Sequence, residues 1–403
     1  MPRLGLVLPA ASYRGPDFIT AAVELGVDLV VATDGSLPLS AGVASVVRID
    51  CSEPVAAADA IVAAARDDSL DAVIGVDDSG VLIAALASAT LGLPHNSVGA
   101  VAATRDKTVL REFLHAAGVP QPAFAVVADV AQAVAAAEMI GYPVVVKPRD
   151  LSASRGVIRA DDAMAVAEAA GRVAAIVAAA GGFMPMLVEE YLDGDEVAVE
   201  GLVTPGGVEV LAVFDKPDPL TGPFFEETIY VTPSRHPDAV NDAVERVLGE
   251  AVAALGLVHG AVHAELRLTH DGPKVIEVAS RSIGGLCGRS LRFGMLRQSL
   301  ESLLIRSALG MPRRGMARES VASGAMMIPI PHTGFLRAVR GVAAVGEVEG
   351  VTAVEITVPI GRRIHALPEG DRYLGFIFAT ADHPSEVEAA LREAHSLLHI
   401  EIE

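Results

Sequence analysis

Two glutamates stand at matching positions around a turn signal in residues 263–281, HAELRLTHDGPKVIEVASR. Apolar-patterned runs flank the His-Asp-Gly-Pro turn, which is typical of a β-hairpin. If the hairpin folds about Asp271, Glu265 lies opposite Glu277, because the two are equally distant from that centre. Like charges directly opposite each other destabilise a sheet. Either a raised carboxyl pKa or a hard divalent cation explains the pair, and Mg²⁺ suits it when substrate phosphates supply further ligands.

The same register predicts which side chains share each face of the hairpin. The face expected to pack into a core carries Leu266, Leu268, Ile276 and Val278. The opposite face carries Glu265, Arg267, Val275, Glu277 and Arg281. A one-residue bulge would break this register. The alternative interpretation is a solvated face on which Arg267 neutralises one glutamate.

Two lysines that precede the hairpin are placed where an anion would be useful. With Thr104 as the N-cap, Lys107 falls in the first turn of a helix, where a cation opposes the helix dipole unless it holds an anion. Lys147 ends an apolar strand, and a loop of small and polar residues follows it, through Ser154 and Gly156. Such a loop lets backbone N–H groups and hydroxyls approach an anion closely. A solvated side chain is the alternative for Lys107.

Composition limits the classes of function. The chain has 403 residues, of which 51% are hydrophobic and 20% charged, and this predicts a globular protein. A net charge of −20 disfavours nucleic acid or an anionic membrane as the main partner, although a local cationic pocket is compatible with it. Cys51 and Cys287 are too few for a disulfide framework and lack metal-type spacing, which favours a reducing cytoplasm. Apolar tracts are broken by glycine and proline, so we expect no transmembrane span.

Strand-like and helical segments alternate over roughly the first 95 residues. The strand-like segments are 4–9, 28–33, 46–50 and 71–76, and the helical ones are 17–25, 54–66 and 80–91. This alternation predicts a parallel, doubly wound sheet. The loops 9–16 and 77–80 would then lie at the carboxyl ends of strands, where such sheets bind ligands, unless they are ordinary turns. The segment lacks a G-x-G-x-x-G motif, so we infer no dinucleotide.

The remaining chain is predicted to be α+β. Helical segments at 129–140 and 161–180 alternate with strands at 144–146 and 186–190, and short strands recur after residue 311. We therefore expect three domains. They are an N-terminal Rossmann-like domain over 1–100, a domain over 101–310, and a C-terminal subdomain over 311–403.

The lysines, the small-residue loop and the paired glutamates resemble, in order and spacing, the ATP-grasp superfamily over about residues 1–310. KPRDLSASRGV at 147–157 is similar to the family's phosphate-covering loop, and EEYLDGDE at 189–196 is similar to its hinge. The resemblance implies an ATP-grasp fold with an N-terminal doubly wound parallel-sheet domain, a two-lobed ATP-binding region and a small C-terminal α+β domain. It also implies that the domain over 101–310 has a mobile lobe at about 120–188, and it makes loop 150–156 a candidate lid over ATP.

The resemblance implies a role for each nucleotide-site residue. Glu189 would contact the adenine amino group, Leu192 the ring edge through its main chain, and Glu196 the ribose hydroxyls. Lys107 and Lys147 would hold the α- and β-phosphates. The expected ATP-binding residues are Lys107, Lys147, Ser154, Gly156, Glu189, Tyr191, Leu192 and Glu196.

For the metal, the resemblance implies Mg²⁺, with Mn²⁺ as an expected substitute, bound by Glu265 and Glu277. Many relatives read E-x-N-x-R, whereas this chain has Ala279 in place of the asparagine that often adds a metal ligand. Two carboxylates are adequate if Mg²⁺ keeps bound waters.

Within the superfamily, three stretches resemble bacterial L-amino-acid ligases, which form dipeptides: residues 215–235, 255–269 and 281–285. The implied chemistry converts a carboxylate to an acyl phosphate at the expense of ATP and then joins it to an amine. Arg281 and Lys147 are the expected catalytic residues. The expected substrate-contacting residues are Glu227, Tyr230, His263, Arg281, Gly284 and Gly285.

Each substrate-side assignment has an alternative. Glu226 and Glu227 could form a solvent-facing acidic pair, His263 could be structural, and Arg281 could be an ion-pair partner of the two glutamates that precede it. The predicted protein is an ATP- and Mg²⁺-dependent ligase that joins an amino-acid carboxylate to an amine, in a cytoplasmic homodimer. The alternatives are a ligase or carboxylase that uses another acid or nucleophile, such as bicarbonate, ammonia or a non-proteinogenic amine, and a non-catalytic nucleotide-binding regulator.

Overall fold

Four parallel strands form the first sheet of the computed structural model, which describes residues 1–35, 42–66, 68–182 and 184–403. The strands are β1 (Arg3–Val7), β2 (Asp28–Thr33), β3 (Val43–Arg48) and β4 (Ala72–Gly75), and the helices are α1 (Gly15–Leu25), α2 (Pro54–Ala64) and α3 (Asp78–Leu91). The spatial order is β3-β2-β1-β4. Helix α1 packs on one face of the sheet, and α2 and α3 pack on the other. The predicted doubly wound parallel sheet is confirmed.

Two consecutive helices, and not the predicted N-cap at Thr104, place Lys107. Helix α4 (Val98–Arg105) contains Thr104, whose hydroxyl donates to the Val101 carbonyl at 2.8 Å. Helix α5 (Lys107–Ala116) begins after Asp106, which accepts a hydrogen bond from the Thr108 N–H at 2.9 Å. The prediction of Thr104 as the N-cap was wrong, because Thr104 and Asp106 are both residue types that cap helices and it is Asp106 that caps α5. Lys107 nevertheless occupies the first position of a helix.

A small lobe follows, with an antiparallel sheet in the order β5-β8-β6-β7. Its elements are β5 (Phe124–Val127), α6 (Val130–Ile140), β6 (Val144–Pro148), β7 (Ile158–Ala160), α7 (Ala163–Ala179) and β8 (Met186–Glu190). Side chains alternate across a strand, so Val144 and Val146 pack beneath α6 and α7. Lys147 and Glu189 therefore project from the opposite face of the sheet.

The largest sheet has eight strands in the order β13-β12-β9-β10-β11-β14-β18-β16. The chain that forms the first part of this sheet runs through the strands β9 (Asp195–Thr204), β10 (Gly207–Lys216), β11 (Ile229–Thr232), β12 (Gly260–Thr269) and β13 (Gly272–Ala279). Helix α8 (Asp238–Leu255) lies between β11 and β12, and a 3₁₀ turn (Cys287–Ser290) and helix α9 (Leu300–Ala308) follow β13. Helices α5 and α8 cover one face. Helix α9 packs against the other face together with α1, which brings the N-terminal sheet to that side.

The hairpin of β12 and β13 confirms one predicted pair and corrects its neighbours. Glu265 lies opposite Glu277, as the sequence predicts. A bulge follows, so that Val275, and not Ile276, lies opposite Leu266 and joins the core. The assignment of Ile276 to the core face was wrong, because one extra residue reverses the facing of the strand beyond it.

The C-terminal region extends the large sheet and adds a small one. It contains β14 (Ala322–Ile328), β15 (Gly334–Arg340), α10 (Val342–Val345), β16 (Val351–Ile356), β17 (Arg363–Ile364), β18 (Gly375–Ala381), α11 (Pro384–Ser396) and β19 (His399–Ile402). Strand β14 pairs with β11, and β18 pairs with β14 and β16. The small sheet has the order β17-β15-β19. Among the helices of the described ranges, none is long and apolar enough to cross a membrane.

Candidate functional site

A cavity of about 530 Å³ lies where the N-terminal sheet, the small lobe, the large sheet and the C-terminal region meet. Its volume is typical of a small-molecule site. The predicted site residues that line it are Lys107, Lys147, Ser154, Glu189, Tyr191, Leu192, Glu196, Glu227, Tyr230, His263, Glu265, Glu277, Arg281, Gly284 and Gly285. Gly156 is the predicted residue outside this lining, and its N–H donates to the Pro368 carbonyl at 2.8 Å. Residues as distant in sequence as Lys107 and Gly285 therefore share one space.

One end of the cavity carries a basic cluster, formed by Lys107, Arg111, Lys147 and Glu189. The Glu189 carboxylate lies 2.7 Å from Lys147 Nζ, and it accepts hydrogen bonds from Arg111 Nε at 2.7 Å and Arg111 Nη2 at 3.2 Å. Burial opposes ionisation of Glu189, but the two cations outweigh it and lower its pKa to about 2. Both oxygens of Glu189 are thus engaged by side chains of the protein.

Arg111 is a member of this cluster that the sequence reasoning missed. It is fully buried, and besides Glu189 it donates to the carbonyls of Val275 at 3.1 Å and Ile276 at 2.8 Å. Arg111 lies four residues after Lys107 in α5, and that spacing places both side chains on one face of a helix. This spacing was the available signal.

Lys107 is buried, so the solvated alternative is wrong. Its Nζ donates to the Leu151 carbonyl at 2.8 Å and lies 3.3 Å from a carboxylate oxygen of Glu277. Lys107 therefore connects the small-residue loop after β6 to the hairpin.

The other end carries an acidic cluster, which we define as Glu196, Glu227 and Glu265 around Lys216. One oxygen from each of the three carboxylates lies within 4.8 Å of the others. Lys216 Nζ contacts Glu227, and it lies 2.7 Å from Glu196 and 3.5 Å from Glu265. Burial opposes the charge on Lys216, but the three carboxylates outweigh it and raise its pKa. The ammonium group is the cation that holds this cluster together.

Lys216 is another site residue that the motifs do not predict, although it lies within residues 215–235, one of the stretches that resemble L-amino-acid ligases. The available signal was a lysine at the end of β10, a strand that is otherwise largely apolar. The partner proposed for Arg267 also needs correction. Arg267 Nε donates to Glu196 at 2.9 Å, so Arg267 is bound to the acidic cluster through Glu196 and not through either glutamate of the hairpin pair.

The hairpin carboxylates suit a hard divalent cation. Glu265 and Glu277 are paired in the sheet and line the cavity, and they offer only oxygen donors, which Mg²⁺ prefers. Burial disfavours the charged form of Glu265, but Lys216 and His263 outweigh it and lower its pKa. Ala279 also lines the cavity, and it adds no donor. The donor set therefore fits Mg²⁺ bound by two carboxylates, with water or substrate oxygens as its other ligands.

Arg281 forms an ion pair with the N-terminal domain. Its Nε and Nη2 donate to the two carboxylate oxygens of Asp78 at 2.7 and 3.0 Å. Asp78 is the first residue of α3, within the loop region 77–80 predicted at the ligand-binding edge of the parallel sheet. The proposed pairing of Arg281 with the preceding glutamates is replaced by this contact, which connects the N-terminal sheet to the cavity.

The remaining substrate-side candidates surround the acidic cluster. Glu227 is largely buried and also accepts a hydrogen bond from the Tyr373 hydroxyl at 3.3 Å, so it does not face solvent. His263 lies 3.3 Å from Glu200 and 3.7 Å from Glu265. Burial disfavours the imidazolium, but the two carboxylates outweigh it and raise the pKa of His263. Tyr230 places its ring 5.2 Å from Lys216 Nζ.

Models of three domain families match the chain. They are an ATP-grasp N-terminal domain over residues 19–95, an ATP-grasp domain over 140–290, and L-amino acid ligase C-terminal domain 2 over 326–403. The third match covers the strands β15 to β19 and α11. It therefore includes the region that closes the cavity beside Glu227.

Relatives and a solved structure agree with these matches. The D-alanine–D-alanine ligase of Gloeobacter violaceus is 32% identical over 50% of this chain and 67% of its own length. The alanine–anticapsin ligase of Bacillus subtilis is 30% identical over 56% of this chain and 51% of its own. The crystal structure of an L-amino acid ligase from Bacillus licheniformis has a TM-score of 0.85 and 27% identity, and the match covers 100% of this chain and 99% of that one. The chain spans about half the length of the first curated relatives it matches.

Proposed function

The chain belongs to the ATP-grasp family, and from that premise we propose that it is an ADP-forming ligase that joins an amino-acid carboxylate to an amine. The observation that carries the proposal is the polarity of the cavity. Its basic cluster suits the phosphates of ATP, whereas Glu227 in the acidic cluster offers a carboxylate to the α-ammonium group of an amino acid. The similarity to the L-amino acid ligase of Bacillus licheniformis supports the same assignment.

In the first step, a carboxylate oxygen of the amino acid attacks the γ-phosphorus of ATP. The bond from that phosphorus to the β–γ bridging oxygen breaks, so ADP leaves and an acyl phosphate forms. Two anions approach each other in this step, and cations must offset their repulsion. Lys107 and Lys147 supply positive charge at the nucleotide end. Mg²⁺ held by Glu265 and Glu277 would neutralise phosphate charge.

In the second step, the amine nitrogen attacks the acyl carbon. The bond between that carbon and the phosphate oxygen breaks, phosphate leaves, and the amine loses a proton as the amide forms. Arg281 is suited to an oxyanion or a carboxylate because a guanidinium donates parallel hydrogen bonds. Asp78 fixes the direction of that guanidinium, since it receives two of its N–H groups. We assign the contact with the reacting groups to Arg281 and a positioning role to Asp78.

The acyl phosphate reacts with water, so the site must close around it. The loop 150–156 lies over the cavity, with Ser152, Ala153 and Ser154 in its lining. We propose that this loop and the small lobe cover ATP. The domain boundaries, the homodimer and the cytoplasmic location stay predictions from the sequence.

The test is phosphate release from ATP and Mg²⁺ across all pairwise mixtures of amino acids, with product masses measured. We expect release that depends on an amino acid, and a product whose mass equals two amino acids minus one water. Release that requires bicarbonate or another acid in place of the amino acid, or ammonia as the nucleophile, would contradict the dipeptide product and retain the acyl-phosphate chemistry. No release under any condition, with ATP still bound, would contradict ligase activity.

A further inference from the structure

Residues 365–373, which we call the C-terminal segment, contact the small lobe at one end. The Gly156 N–H donates to the Pro368 carbonyl at 2.8 Å. Arg172 of α7 places its guanidinium on Glu369, with Nε and Nη2 at 2.7 and 2.9 Å from the two carboxylate oxygens. The loop that follows Lys147 and the helix behind it are therefore both attached to the C-terminal segment.

The other end of the C-terminal segment reaches the acidic cluster. Tyr373 donates from its hydroxyl to Glu227 at 3.3 Å. Its ring packs edge-on against Phe376 with the centroids 5.9 Å apart, and Tyr13 of the N-terminal domain packs against the same Phe376 at 5.6 Å. Burial and the nearby Glu227 raise the pKa of Tyr373, which keeps the hydroxyl protonated and able to donate. Tyr373 and Tyr13 thus pack against one shared ring, that of Phe376.

Glu227 can use this arrangement to bind an ammonium group. One of its oxygens contacts Lys216 and the other accepts from Tyr373. A carboxylate has about four acceptor positions, so further positions are free for a substrate N–H. Because Tyr373 and Lys216 engage different oxygens, they also fix the plane of the carboxylate. Removing the hydroxyl of Tyr373 would free one side of Glu227 to rotate.

We propose that the C-terminal segment completes the amino-acid pocket and couples it to the lobe that covers ATP, with Tyr373 as the positioning residue for Glu227. The proposal rests on the proposed function for the identity of the amino-acid ligand. When the small lobe docks on Pro368 and Glu369, the segment places Tyr373 against Glu227. ATP binding then prepares the site for the ammonium group, so the nucleotide and the amino acid bind with positive cooperativity.

The coupling is tested by hydrogen exchange of the full-length protein with Mg²⁺ and a non-hydrolysable ATP analogue. In the wild type, the analogue should slow exchange at residues 150–156 and also at residues 365–373. In E369Q, the analogue should still protect 150–156, while protection of 365–373 should be lost or clearly reduced. The matched control is E250Q, which removes the exposed ion pair between Arg246 and Glu250 on α8 and should behave as wild type. Equal protection of 365–373 in E369Q and wild type would overturn the coupling.

The positioning role is tested by Y373F with the amino acid that releases most phosphate in the wild type. We expect KM for that amino acid to rise about 3- to 10-fold, as for the loss of one hydrogen bond, with the affinity for the ATP analogue and the melting temperature unchanged. An unchanged KM, or an equal loss of nucleotide affinity, would overturn the role of Tyr373. The exchange experiment needs no turnover. A wild type that releases no phosphate would therefore contradict the proposed function, while the coupling is still decided by exchange.

Discussion

The two ends of the cavity have opposite electrostatic character. The basic cluster contains three cations: Arg111 and Lys147 contact the carboxylate of Glu189, and Lys107 contacts Glu277 of the hairpin. The acidic cluster contains three carboxylates, and its cations are Lys216 and, through Glu196, Arg267. An excess of positive charge suits a polyphosphate, whereas an excess of negative charge suits an ammonium group and a divalent cation. The difference is what the proposed function uses, with the phosphates of ATP at the basic cluster and the ammonium group of an amino acid at the acidic cluster.

The largest expected effect comes from removing a cation from the basic cluster. R111M leaves the buried Glu189 with Lys147 alone and removes two hydrogen bonds to strand carbonyls. Breaking a buried ion pair from one side costs about 3–5 kcal/mol, so we expect a loss of that size in the free energy of unfolding by denaturant. The control is R340M, which removes the exposed pair with Glu401 and should stay within about 0.5 kcal/mol of wild type. Equal effects of the two variants would contradict the buried character of the basic cluster.

The pKa of Glu189 predicts a dependence of stability on pH. Because the folded pKa of about 2 is below the ordinary value of 4.5, the stabilisation is present above about pH 4.5 and is lost as pH falls towards 2. A shift of this size corresponds to about 3 kcal/mol in total. We expect the difference in unfolding free energy between wild type and E189Q to shrink as pH is lowered from 5 to 3. A constant difference would show that the two cations do not lower the pKa of Glu189 in the folded protein.

Removing Lys216, the cation that all three carboxylates of the acidic cluster share, should act on turnover. K216M leaves Glu196, Glu227 and Glu265 close together without their shared ammonium group. We expect amino-acid-dependent phosphate release to fall by about 100-fold or more, a loss comparable to the removal of one preorganised electrostatic group. The contacts of Arg111 and Lys147 with Glu189 are untouched, but Lys216 also binds Glu196, the residue expected at the ribose, so we expect the affinity for the ATP analogue, measured by calorimetry, to fall much less than turnover. Loss of nucleotide binding with intact folding would show that the two ends are not electrostatically separate.

The smallest expected effect distinguishes two adjacent glycines at the acidic end. Gly285 has φ of 59°, and a Cβ there would lie 2.8 Å from the Phe376 ring. A Cβ on Gly284 would meet only Arg281 Nη1, at 3.9 Å. We expect G285A to lower the unfolding free energy by about 1 kcal/mol or more, and G284A to change it by less than about 0.5 kcal/mol. Equal stability of the two variants would contradict the close approach of this turn to Phe376.

The sequence predicts the structure correctly where a regular alternation, of side chains along a strand or of strands with helices, determines the arrangement. The alternation of β12 and β13 predicts Glu265 opposite Glu277, and the strand–helix alternation of the first 95 residues predicts the parallel sheet; both are confirmed. No feature of the sequence predicts the bulge at Ile276, because it is a single extra residue in an otherwise regular strand. Periodicity therefore predicts the pair of glutamates but not the facing of every neighbour.

The partners of the charged residues could not be predicted, because they are distant in the chain. Arg111 meets Glu189 across 78 residues, and Arg281 meets Asp78 across 203. Tyr373 meets Glu227 across 146 residues, although the C-terminal region showed no site motif. Such contacts depend on how sheets and domains pack. Family resemblance supplied Glu189 and Arg281, whereas Arg111, Lys216 and Tyr373 emerge from the three-dimensional structure.

The central claim is that the cavity forms an acyl phosphate from ATP and an amino-acid carboxylate. The direct measurement is trapping with hydroxylamine, in which the full-length enzyme is given ATP, Mg²⁺ and a single amino acid and the products are identified by mass. We expect an aminoacyl hydroxamate together with equal amounts of ADP and phosphate, and a strong reduction of all three in E227Q. Formation of AMP with the hydroxamate, or of ADP without any hydroxamate, would contradict an acyl-phosphate intermediate.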